Sequence, residues 1–464
     1  MAKNDRKVSN ITRCCLILWN VGLFAYIWVS YYNNFAFRSH RIQGAIACIA
    51  LFFMLYMWLC SVYRAFRIAS TPLFDIVFAH MVSFCLSDLN LYFVACLSGR
   101  HPLNILYGAA IVVLQLAGTI FICVASKRKL MKVIVPHDTL IISGQMRSSE
   151  NVSSFIDRLK FKYDFLYDIT ERILETEPYD ELFAAIDRHD TVILFEVEPN
   201  KRRLLIKACT ERHKAFLYDP RIEDIICEGC SGRHYLDTPL MRYDFHYKDF
   251  YAQVMKRILD VVLSLVLIVI LTPFMCIVML AIKAEDHGPV FYRQKRVTKN
   301  GKVFEMIKFR SMVVDAEKMG VIPSTENDPR ITKVGKFIRA TRMDELPQLF
   351  NILHGDMSFV GPRPERVEHV EYYTKLMPEF QYRHRVKGGL TGYAQVYGKY
   401  NTSAYDKLRL DLEYIENQSF LSDLKIFLLT IRTVFQREAT EGFDANQSNQ
   451  ITHSVNAEMS ELNE

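Results

Sequence analysis

Apolar positions are concentrated in long runs over the first part of the chain. Four such runs lie at about 14–32, 43–62, 73–97 and 103–125. Each has a length of about 20 residues, which as an α-helix covers the ~30 Å hydrocarbon core of a bilayer. Basic residues stand before the first run and after the fourth, and the positive-inside rule places both ends in the cytoplasm. The pattern predicts four transmembrane helices within residues 1–130.

The pattern changes over residues 131–250, where short apolar runs alternate with helical periodicity. Strand-like runs occur at 139–144, 165–169, 191–197 and 215–219, with helical patterns at 148–160, 178–188 and 199–213 between them. Such alternation is typical of a small parallel sheet, so we expect a Rossmann-like α/β module. The loop GQMRSSE after the first strand lacks G-x-G-x-x-G, which favours a regulatory or oligomerising role over dinucleotide binding.

A fifth apolar run, residues 261–282, contains Thr272 and Pro273 near its centre. Proline removes one backbone hydrogen bond and clashes with the preceding turn, which predicts a kink. Basic residues flank both ends of the run, and the positive-inside rule favours keeping both flanks in the cytoplasm. A re-entrant helix–break–helix hairpin over about 256–283 satisfies both constraints. The alternative is a fifth, kinked span, which would place all later residues outside the cell.

A basic segment follows the fifth run. Its turn, Lys299-Asn300-Gly301, predicts a β-hairpin because Asn-Gly tolerates positive φ. Seven basic residues stand in this segment against the single acid Glu305, namely Arg293, Lys295, Arg296, Lys299, Lys302, Lys308 and Arg310. Such an excess beside a membrane favours a phosphate-rich ligand or anionic headgroups. It does not favour nucleic acid, because an RNA-binding aromatic–glycine signature is missing.

Two adjacent carboxylates, Asp344 and Glu345, stand in the string ATRMDELPQLFN. Apolar positions after them have helical spacing, and Pro347 is tolerated in a first helical turn. The pair is therefore expected at or just before a helix start, where the peptide dipole stabilises a carboxylate without any catalytic role. The later string VGPRPE is too rich in Gly and Pro for a helix or central strand. It predicts a rigid loop that presents Arg363, whose guanidinium suits bidentate phosphate binding.

Composition supports a membrane part joined to a soluble part. The chain has 464 residues, of which 50% are hydrophobic, and a net charge of +6. It also has 11 cysteines, several of them in the apolar runs, which argues against a disulfide framework. Cys227 and Cys230 have CxxC spacing but no second pair follows, so two ordinary thiols are favoured over a zinc or redox site.

The segment from Lys256 to about Phe435 resembles the bacterial sugar transferases, also called monotopic phosphoglycosyl transferases. In chain order the matching motifs are KRILD (256–260), GPVFYRQKRV (288–297), KFRSM (308–312), RATRMDELPQLFNILHGDMSFVGPRPE (339–365), KGGLTGYAQVYG (387–398) and DLKIFLLTIRTVF (423–435). The four spans and the α/β module resemble, in layout only, the long hexose-1-phosphate members of that family.

This resemblance implies an enzyme of the bacterial inner membrane with its catalytic part on the cytoplasmic face. It would transfer a sugar-1-phosphate from a UDP-sugar to polyprenyl (undecaprenyl) phosphate, release UMP, and initiate exopolysaccharide, capsule or O-antigen synthesis. The partners implied are the UDP-sugar, polyprenyl phosphate and the lipid bilayer, without nucleic acid, and a homo-oligomer is left open. Residues 251–438 would form a monotopic α+β catalytic domain, and the polar tail 439–464 is expected to be disordered.

The resemblance also assigns roles to residues. Asp344 would be the nucleophile that forms an aspartyl-phosphosugar, and Glu345 would orient it or deprotonate; both would help to hold Mg²⁺. The expected substrate-binding residues are Arg296, Lys308, Arg310, Arg339, Pro362, Arg363, Pro364 and Lys399. Within that set Pro362, Arg363 and Pro364 resemble the uridine end of the site. Two positions depart from the family pattern, because Thr272 replaces a usual Ser and Lys399 stands where Arg is common.

Two alternatives stay open at this point. In the first, the chain is a membrane sensor or scaffold whose α/β module binds a ligand and whose adjacent carboxylates only cap a helix. In the second, it is a transferase without a covalent intermediate. The sequence does not identify the sugar.

Overall fold

The computed structural model divides the chain into two compact units, residues 1–219 and 220–464. It describes residues 3–34, 41–69, 71, 73–100, 102–132, 136–144, 149–243, 250–314, 328–398 and 402–434. The predictions for Lys399 and for the tail 439–464 therefore lie outside the described residues.

Four α-helices occupy the four N-terminal apolar runs. They are α1 (Lys3–Ser30), α2 (Arg41–Val62), α3 (Leu73–Gly99) and α4 (Ile105–Met131). Together with one helix of the second unit, they make five helices among the described residues that are long and apolar enough to cross a membrane. The predicted apolar helical region is confirmed, and the number of helices that cross the bilayer stays a prediction.

A buried asparagine joins three of these helices. Asn20 of α1 donates from Nδ2 to Tyr56 Oη of α2 and to Thr119 Oγ1 of α4, each at 3.2 Å. The same Tyr56 Oη lies 2.8 Å from His80 Nδ1 of α3. All four side chains are buried. Hydrogen bonds of this kind select how apolar helices pack, because the surrounding residues offer few other partners.

A four-stranded parallel sheet completes the first unit. Its strands are β1 (His137–Ser143), β2 (Tyr167–Leu174), β3 (Thr191–Phe195) and β4 (Ala215–Tyr218), in the order β2-β1-β3-β4, with helices α5 (Ser149–Tyr163), α6 (Tyr179–Arg188) and α7 (Pro199–Glu211) between them. This confirms the predicted parallel α/β module. Strand β2 extends well beyond the predicted 165–169. Its later residues alternate between more and less exposed positions and so do not form the apolar run by which a strand is predicted.

The second unit holds the motifs from KRILD to DLKIFLLTIRTVF on one long helix and several shorter elements. These are α8 (Ile222–Glu228), β5 (Ser231–Tyr235), β6 (Thr238–Arg242), α9 (Phe250–Asp286), β7 (Phe291–Val297), β8 (Val303–Phe309), α10 (Lys333–Ala340), α11 (Gln348–His354), β9 (Ser358–Val360), α12 (Val367–Leu376), β10 (Gly389–Thr391), α13 (Tyr393–Tyr397), α14 (Ala404–Glu416) and α15 (Phe420–Val434). In the described part of this unit the strands form three two-stranded sheets, β5–β6, β7–β8 and β9–β10.

The predicted basic hairpin is confirmed as β7 and β8, which pair antiparallel from Phe291↔Phe309 to Val297↔Val303. Asn300 and Gly301 in its turn have φ of 59° and 73°. Asparagine and glycine adopt this left-handed region at the lowest cost, which is the reason that they predict the turn.

Two apolar clusters hold the described part of the second unit together: the smaller packs Met275 and Ile282 of α9 against Phe309 and Ile338, and the larger packs β8 against α11. Phe304 and Met306 of β8 pack with Leu349 and Ile352 of α11, and the same cluster takes in apolar residues of α8 and α14. Burial of each such side chain contributes about 1.5–3 kcal/mol. The division between the units falls at 219/220, so α8 packs with the second unit although the sequence boundary was placed at 250/251. The functional domain boundaries stay predictions.

Helix α9 contains Pro273 in its interior and runs as one helix from Phe250 to Asp286. The hydroxyl of Thr272 donates to the carbonyl of Ile268 at 2.6 Å, whereas the carbonyl that Pro273 leaves without its helical N–H donor is that of Val269. The hydroxyl of Ser264, in the first half of the same helix, is buried without a hydrogen-bond partner among the described residues. The structure does not divide the segment 256–283 into two helices, so the break remains a prediction.

The N-terminal end of α9 is bonded to the core of the second unit. Lys256 Nζ lies 2.7 Å from Asp423 Oδ2 of α15, and both side chains are largely buried. Arg257 donates to the carbonyls of Ile352 and Leu353 at 2.7 and 2.8 Å. These are last-turn carbonyls of α11, which a cation stabilises well.

The C-terminal end of α9 is bonded to the same unit. Glu285 accepts hydrogen bonds from the N–H groups of Lys333 (2.7 Å) and Val334 (3.2 Å) at the start of α10. Asp286 pairs with Arg310, which directly follows β8. Between the two anchored ends, α9 exposes a row of large apolar side chains, which includes Val262, Val269, Ile277 and Leu280.

Candidate active site

The adjacent carboxylates lie in a short 3-10 turn, Met343–Glu345, between α10 and α11. Arg342 enters the turn with φ of 58°, a left-handed conformation uncommon for arginine. Pro347 then caps α11. The carboxylates therefore precede the helix by a few residues, in agreement with the expected position at or just before its start.

Glu345 is the acceptor in a cluster of cations. Lys308 Nζ of β8 lies 3.1 Å from Glu345 Oε1, and Arg363 Nη2 bonds to the same oxygen. Arg342 Nη1 lies 3.9 Å from Oε2. Burial alone would raise the pKa of Glu345, but Arg363 and Lys308 hold that pKa well below its ordinary value. Glu345 is thus ionised and committed to its partners.

Asp344 makes no hydrogen bond or ion pair within the described residues. Burial raises the pKa of Asp344, the neighbouring Glu345 charge raises it further, and Lys308, Arg339 and Arg363 oppose the increase. The environment consequently separates the pKa values of two adjacent carboxylates, a pattern that marks groups with different chemical tasks. Asp344 is the uncommitted carboxylate, and cations surround it.

Residues 361–365 form a loop in which the four carbonyls of residues 362–365 each accept a hydrogen bond. Two main-chain N–H groups bond to this loop: Gly389 N donates to Pro362 O (2.8 Å), and Val297 N donates to Glu365 O (3.0 Å). Two arginine side chains donate to the carbonyls between them, Arg383 Nη2 to Arg363 O (3.0 Å) and Arg296 Nη1 to Pro364 O (3.0 Å). Pro362 and Pro364 are buried while Arg363 is half-buried and reaches Glu345. A rigid loop that presents Arg363 is what the sequence predicts.

The three remaining arginines that were predicted to bind substrate have different positions. Arg339 acts on Asp344 through its charge and so belongs to the cluster around the acidic pair. Arg296 supports the loop through Pro364 and is also held by Gln294 Oε1 at 2.6 Å. Arg310 is buried and paired with Asp286, so it fastens α9 to β8 and does not touch the acidic pair.

Some residues of this region carry no motif that predicts a role. Arg342 reaches Glu345 from the preceding turn, and its left-handed backbone is invisible in a sequence. Arg383 and Asp411 meet beneath the loop at 2.6 Å, although they lie far apart along the chain. Only tertiary structure brings such residues together.

Magnesium was predicted at Asp344 and Glu345, and the residues present are compatible with it. Among the described residues no group of three His, Cys, Asp or Glu side chains is placed to hold a metal. Mg²⁺ is commonly held by one or two carboxylates together with substrate phosphates and water. Asp344 has carboxylate oxygens to offer, whereas Glu345 would share its oxygens with Lys308 and Arg363.

Comparisons with known proteins agree on one region of the chain. The model of the family described as "Bacterial sugar transferase" matches residues 251–437. A UDP-glucose:undecaprenyl-phosphate glucose-1-phosphate transferase of Escherichia coli (strain K12) is 43% identical over 208 residues, which cover 44% of this chain and 43% of that protein. A UDP-N-acetylgalactosamine-undecaprenyl-phosphate N-acetylgalactosaminephosphotransferase of Aeromonas hydrophila is 42% identical over 182 residues, 39% of this chain and 43% of that protein.

A shorter relative is covered almost completely. The uncharacterized sugar transferase EpsL of Bacillus subtilis (strain 168) is 36% identical over 200 residues, which are 43% of this chain and 94% of that protein. The match to the E. coli and Aeromonas proteins spans less than half of their length. The residues that match the family model, 251–437, lie in the second unit.

Glu345 predicts a defined pH dependence of stability. Because its pKa is lowered on folding, its ionised form stabilises the fold at pH values above the ordinary pKa of about 4.3. That stabilisation is lost as the pH falls through the lowered pKa. We expect the Tm difference between the wild type and Glu345→Gln to be largest near neutral pH and to shrink below about pH 4.3. Thermal unfolding in detergent across this pH range measures it.

Glu305→Gln is the matched control, since Glu305 lies on β8 with a side chain that is 55% exposed. Its replacement should change Tm little at any pH. A Glu345→Gln difference that stays constant from neutral pH down to pH values well below the ordinary pKa would contradict the depressed pKa.

Proposed function

The chain belongs to the bacterial sugar transferase family, and on that premise we propose that it transfers a sugar-1-phosphate from a UDP-sugar to polyprenyl phosphate. The products are polyprenyl-pyrophosphate-sugar and UMP, and the reaction begins the synthesis of a surface polysaccharide. One observation carries the proposal: Asp344 is an uncommitted carboxylate within a cluster of cations, next to a carboxylate whose charge is already neutralised. The sugar is left open, because the relatives' names differ in it.

The first half-reaction uses Asp344 as nucleophile. A carboxylate oxygen of Asp344 forms a bond to the β-phosphorus of the UDP-sugar, and the bond between that phosphorus and the bridging oxygen breaks. UMP leaves with the electron pair, and the sugar phosphate remains as an ester of Asp344. Lys308, Arg339 and Arg363 offset the charge of the phosphate oxygens, which is the main requirement of phosphoryl transfer.

In the second half-reaction a phosphate oxygen of polyprenyl phosphate attacks the same phosphorus. The bond to Asp344 breaks, and its carboxylate is regenerated as the pyrophosphate-linked sugar departs. An ionised polyprenyl phosphate needs no base to act as nucleophile, so no proton has to move. The chain's contribution is to hold the cations in place while the sugar phosphate is transferred from Asp344 to polyprenyl phosphate.

Glu345 has a positioning role in this scheme. Its low pKa makes it a poor base, since a base works best with a pKa near the working pH. Its single Oε1 atom bonds to both Lys308 and Arg363, so it sets the position of two phosphate-binding cations. Of the roles expected for it, orientation is the one that its contacts support.

Mg²⁺ at Asp344 and Glu345 forms part of the same proposal. The ion would supply positive charge that offsets the charge of the phosphate oxygens. Asp344 has the free coordination capacity, and Glu345 would contribute what Lys308 and Arg363 leave available. Since the described residues place no third acidic ligand nearby, substrate phosphates and water would complete the site, which would couple metal binding to nucleotide binding.

We also propose that α9 enters and leaves the bilayer on one face. Both of its ends bond to the same compact unit, Arg257 to α11 and Glu285 to α10. A helix that crossed the ~30 Å hydrocarbon core would place these ends on opposite sides, where a single soluble unit cannot reach both. The exposed apolar row of α9 needs a lipid environment. UDP-sugars are cytoplasmic, so the shared face is the cytoplasmic face of the inner membrane.

The covalent intermediate predicts a specific labelling result. The full chain in detergent is incubated with UDP-glucose or UDP-N-acetylgalactosamine, each radiolabelled in the sugar, without polyprenyl phosphate. UMP release with label retained on the protein is expected for at least one donor. Asp344→Asn should reduce both by at least roughly 1,000-fold, because it removes the nucleophile. Glu305→Gln, an exposed carboxylate on β8, should behave as the wild type.

Two results would contradict the mechanism in different ways. If UMP appears only when polyprenyl phosphate is present, transfer is direct and no aspartyl ester forms. If cells carrying Asp344→Asn still make the surface polysaccharide, the chain is a sensor or scaffold and its adjacent carboxylates have a structural role.

Metal removal tests the magnesium site. EDTA treatment of the wild type should lower adduct formation from a labelled UDP-sugar at least tenfold or so, because the phosphates lose a major neutralising charge. Added Mg²⁺ should restore it, and added Na⁺ at equal ionic strength should not. Adduct formation at the wild-type rate in excess EDTA would exclude a required metal.

The membrane arrangement predicts the sidedness of two exposed turns. An epitope is inserted at Asp237, in the turn before α9, or at Asn300, in the turn after it, within the full-length chain. We expect both epitopes to bind antibody in inverted membrane vesicles and neither to bind in intact spheroplasts. Opposite accessibility of the two sites would mean that α9 crosses the membrane.

A further inference from the structure

A buried ion pair lies beneath the loop that carries Arg363. Arg383, in the 3-10 helix Pro378–Arg385, and Asp411 of α14 approach to 2.6 Å, with side chains only 3% and 1% exposed. Burial raises the pKa of Asp411 to about 6 against the opposing charge of Arg383, so the pair is ionised at neutral pH. Neither residue touches the acidic pair.

A buried ion pair of this kind is a poor source of stability. The desolvation of both charges offsets most of their attraction, and apolar replacements of similar volume are often neutral or better. Its value lies in fixed geometry, because a planar guanidinium orients whatever else it bonds to. The second acceptor of Arg383 is therefore informative.

That second acceptor is the main-chain carbonyl of Arg363. Arg383 Nη2 donates to it at 3.0 Å, and Arg383 Nη1 lies 3.8 Å from Glu365 Oε1 of the same loop. Pro364 restricts Arg363 to extended backbone conformations. Within that range the direction of the Arg363 carbonyl reports its ψ angle, so a donor fixed on the carbonyl fixes the backbone from which the side chain extends.

We propose that Arg383 and Asp411 are positioning residues, which hold the Arg363 backbone so that its guanidinium meets Glu345 and the donor's phosphate beside Asp344. Asp411 holds Arg383, Arg383 holds the Arg363 carbonyl, and Arg363 bonds to Glu345. The inference rests on the proposed function, since it specifies how one phosphate-binding cation of that reaction is aligned. A misplacement of about 1 Å in such a group costs up to 100-fold in rate.

The chain contains a matched control pair. Glu416 also lies on α14 and pairs with Arg385, which belongs to the same 3-10 helix as Arg383. Both of its side chains are largely buried. Both residues of this pair bond to Tyr243. Arg385 donates to the Tyr243 hydroxyl, and that hydroxyl donates to Glu416. Glu416→Gln therefore disturbs the same two elements without touching the loop.

The test is a double-mutant cycle on UMP release from a labelled UDP-sugar, with kcat and KM measured separately. Asp411→Asn should lower kcat/KM by about 10- to 100-fold, whereas Glu416→Gln should leave it near the wild-type value. In an Arg363→Lys background, Asp411→Asn should add little, because the residue through which it acts is already altered. Arg383→Lys keeps the charge but loses the planar guanidinium, whose Nη2 atom reaches both Asp411 and the Arg363 carbonyl, so it should fall between wild type and Asp411→Asn.

Other outcomes separate the possible failures. Asp411→Asn could lower kcat/KM equally in the wild-type and Arg363→Lys backgrounds and lower Tm to a matching degree. That result would mean that the ion pair is purely structural, and it would overturn the inference. So would equal effects of Asp411→Asn and Glu416→Gln. If Asp411→Asn does not fold, Arg383→Lys gives the same comparison. Absence of UMP release from the wild type with any donor would instead refute the proposed function.

Discussion

The Oε1 atom of Glu345 is the contact on which the site is arranged. It accepts bonds from Lys308 of β8 and from Arg363 of the 361–365 loop, two segments that reach it from different parts of the chain. Bringing two half-buried cations to one place costs desolvation energy, and an internal anion offsets that cost. Glu345 serves as this anion before any substrate arrives. Without it, the phosphates of a ligand would have to organise the cations themselves.

This arrangement gives adjacent carboxylates unequal roles. Two carboxylates at such a short separation cannot both be fully ionised unless cations compensate their charges. Two cations bond directly to Glu345, and Asp344 receives only their longer-range influence. The asymmetry follows from the direction in which each side chain leaves the 3-10 turn. A helix cap, the bland interpretation of the same residues, would need no cluster of cations around it.

Local features of this fold were predictable from the sequence, and partnerships between distant residues were not. Asn300-Gly301 specifies its hairpin because its backbone conformation is a property of those two residues. Likewise, Pro362 and Pro364 restrict the loop that carries Arg363. By contrast, nothing in the sequence pairs Arg383 with Asp411, or shows that Arg310 meets Asp286 and not the acidic pair. A count of basic residues near one another cannot say which of them face a substrate.

The same elements that hold the site also hold α9. Strand β8 carries Lys308 toward Glu345, and two residues later Arg310 pairs with Asp286 at the end of α9. Helix α11 follows directly from the 3-10 turn, and Arg257 near the start of α9 bonds to its last carbonyls. The apolar row of α9 and the acidic pair are thus connected through short, rigid elements at both ends. A polyprenyl phosphate has its reactive group at the bilayer surface, so a site that serves it needs a fixed height above the lipid. For the proposed acceptor, attachment of β8 and α11 to opposite ends of α9 would supply that constraint more firmly than a single flexible tether would.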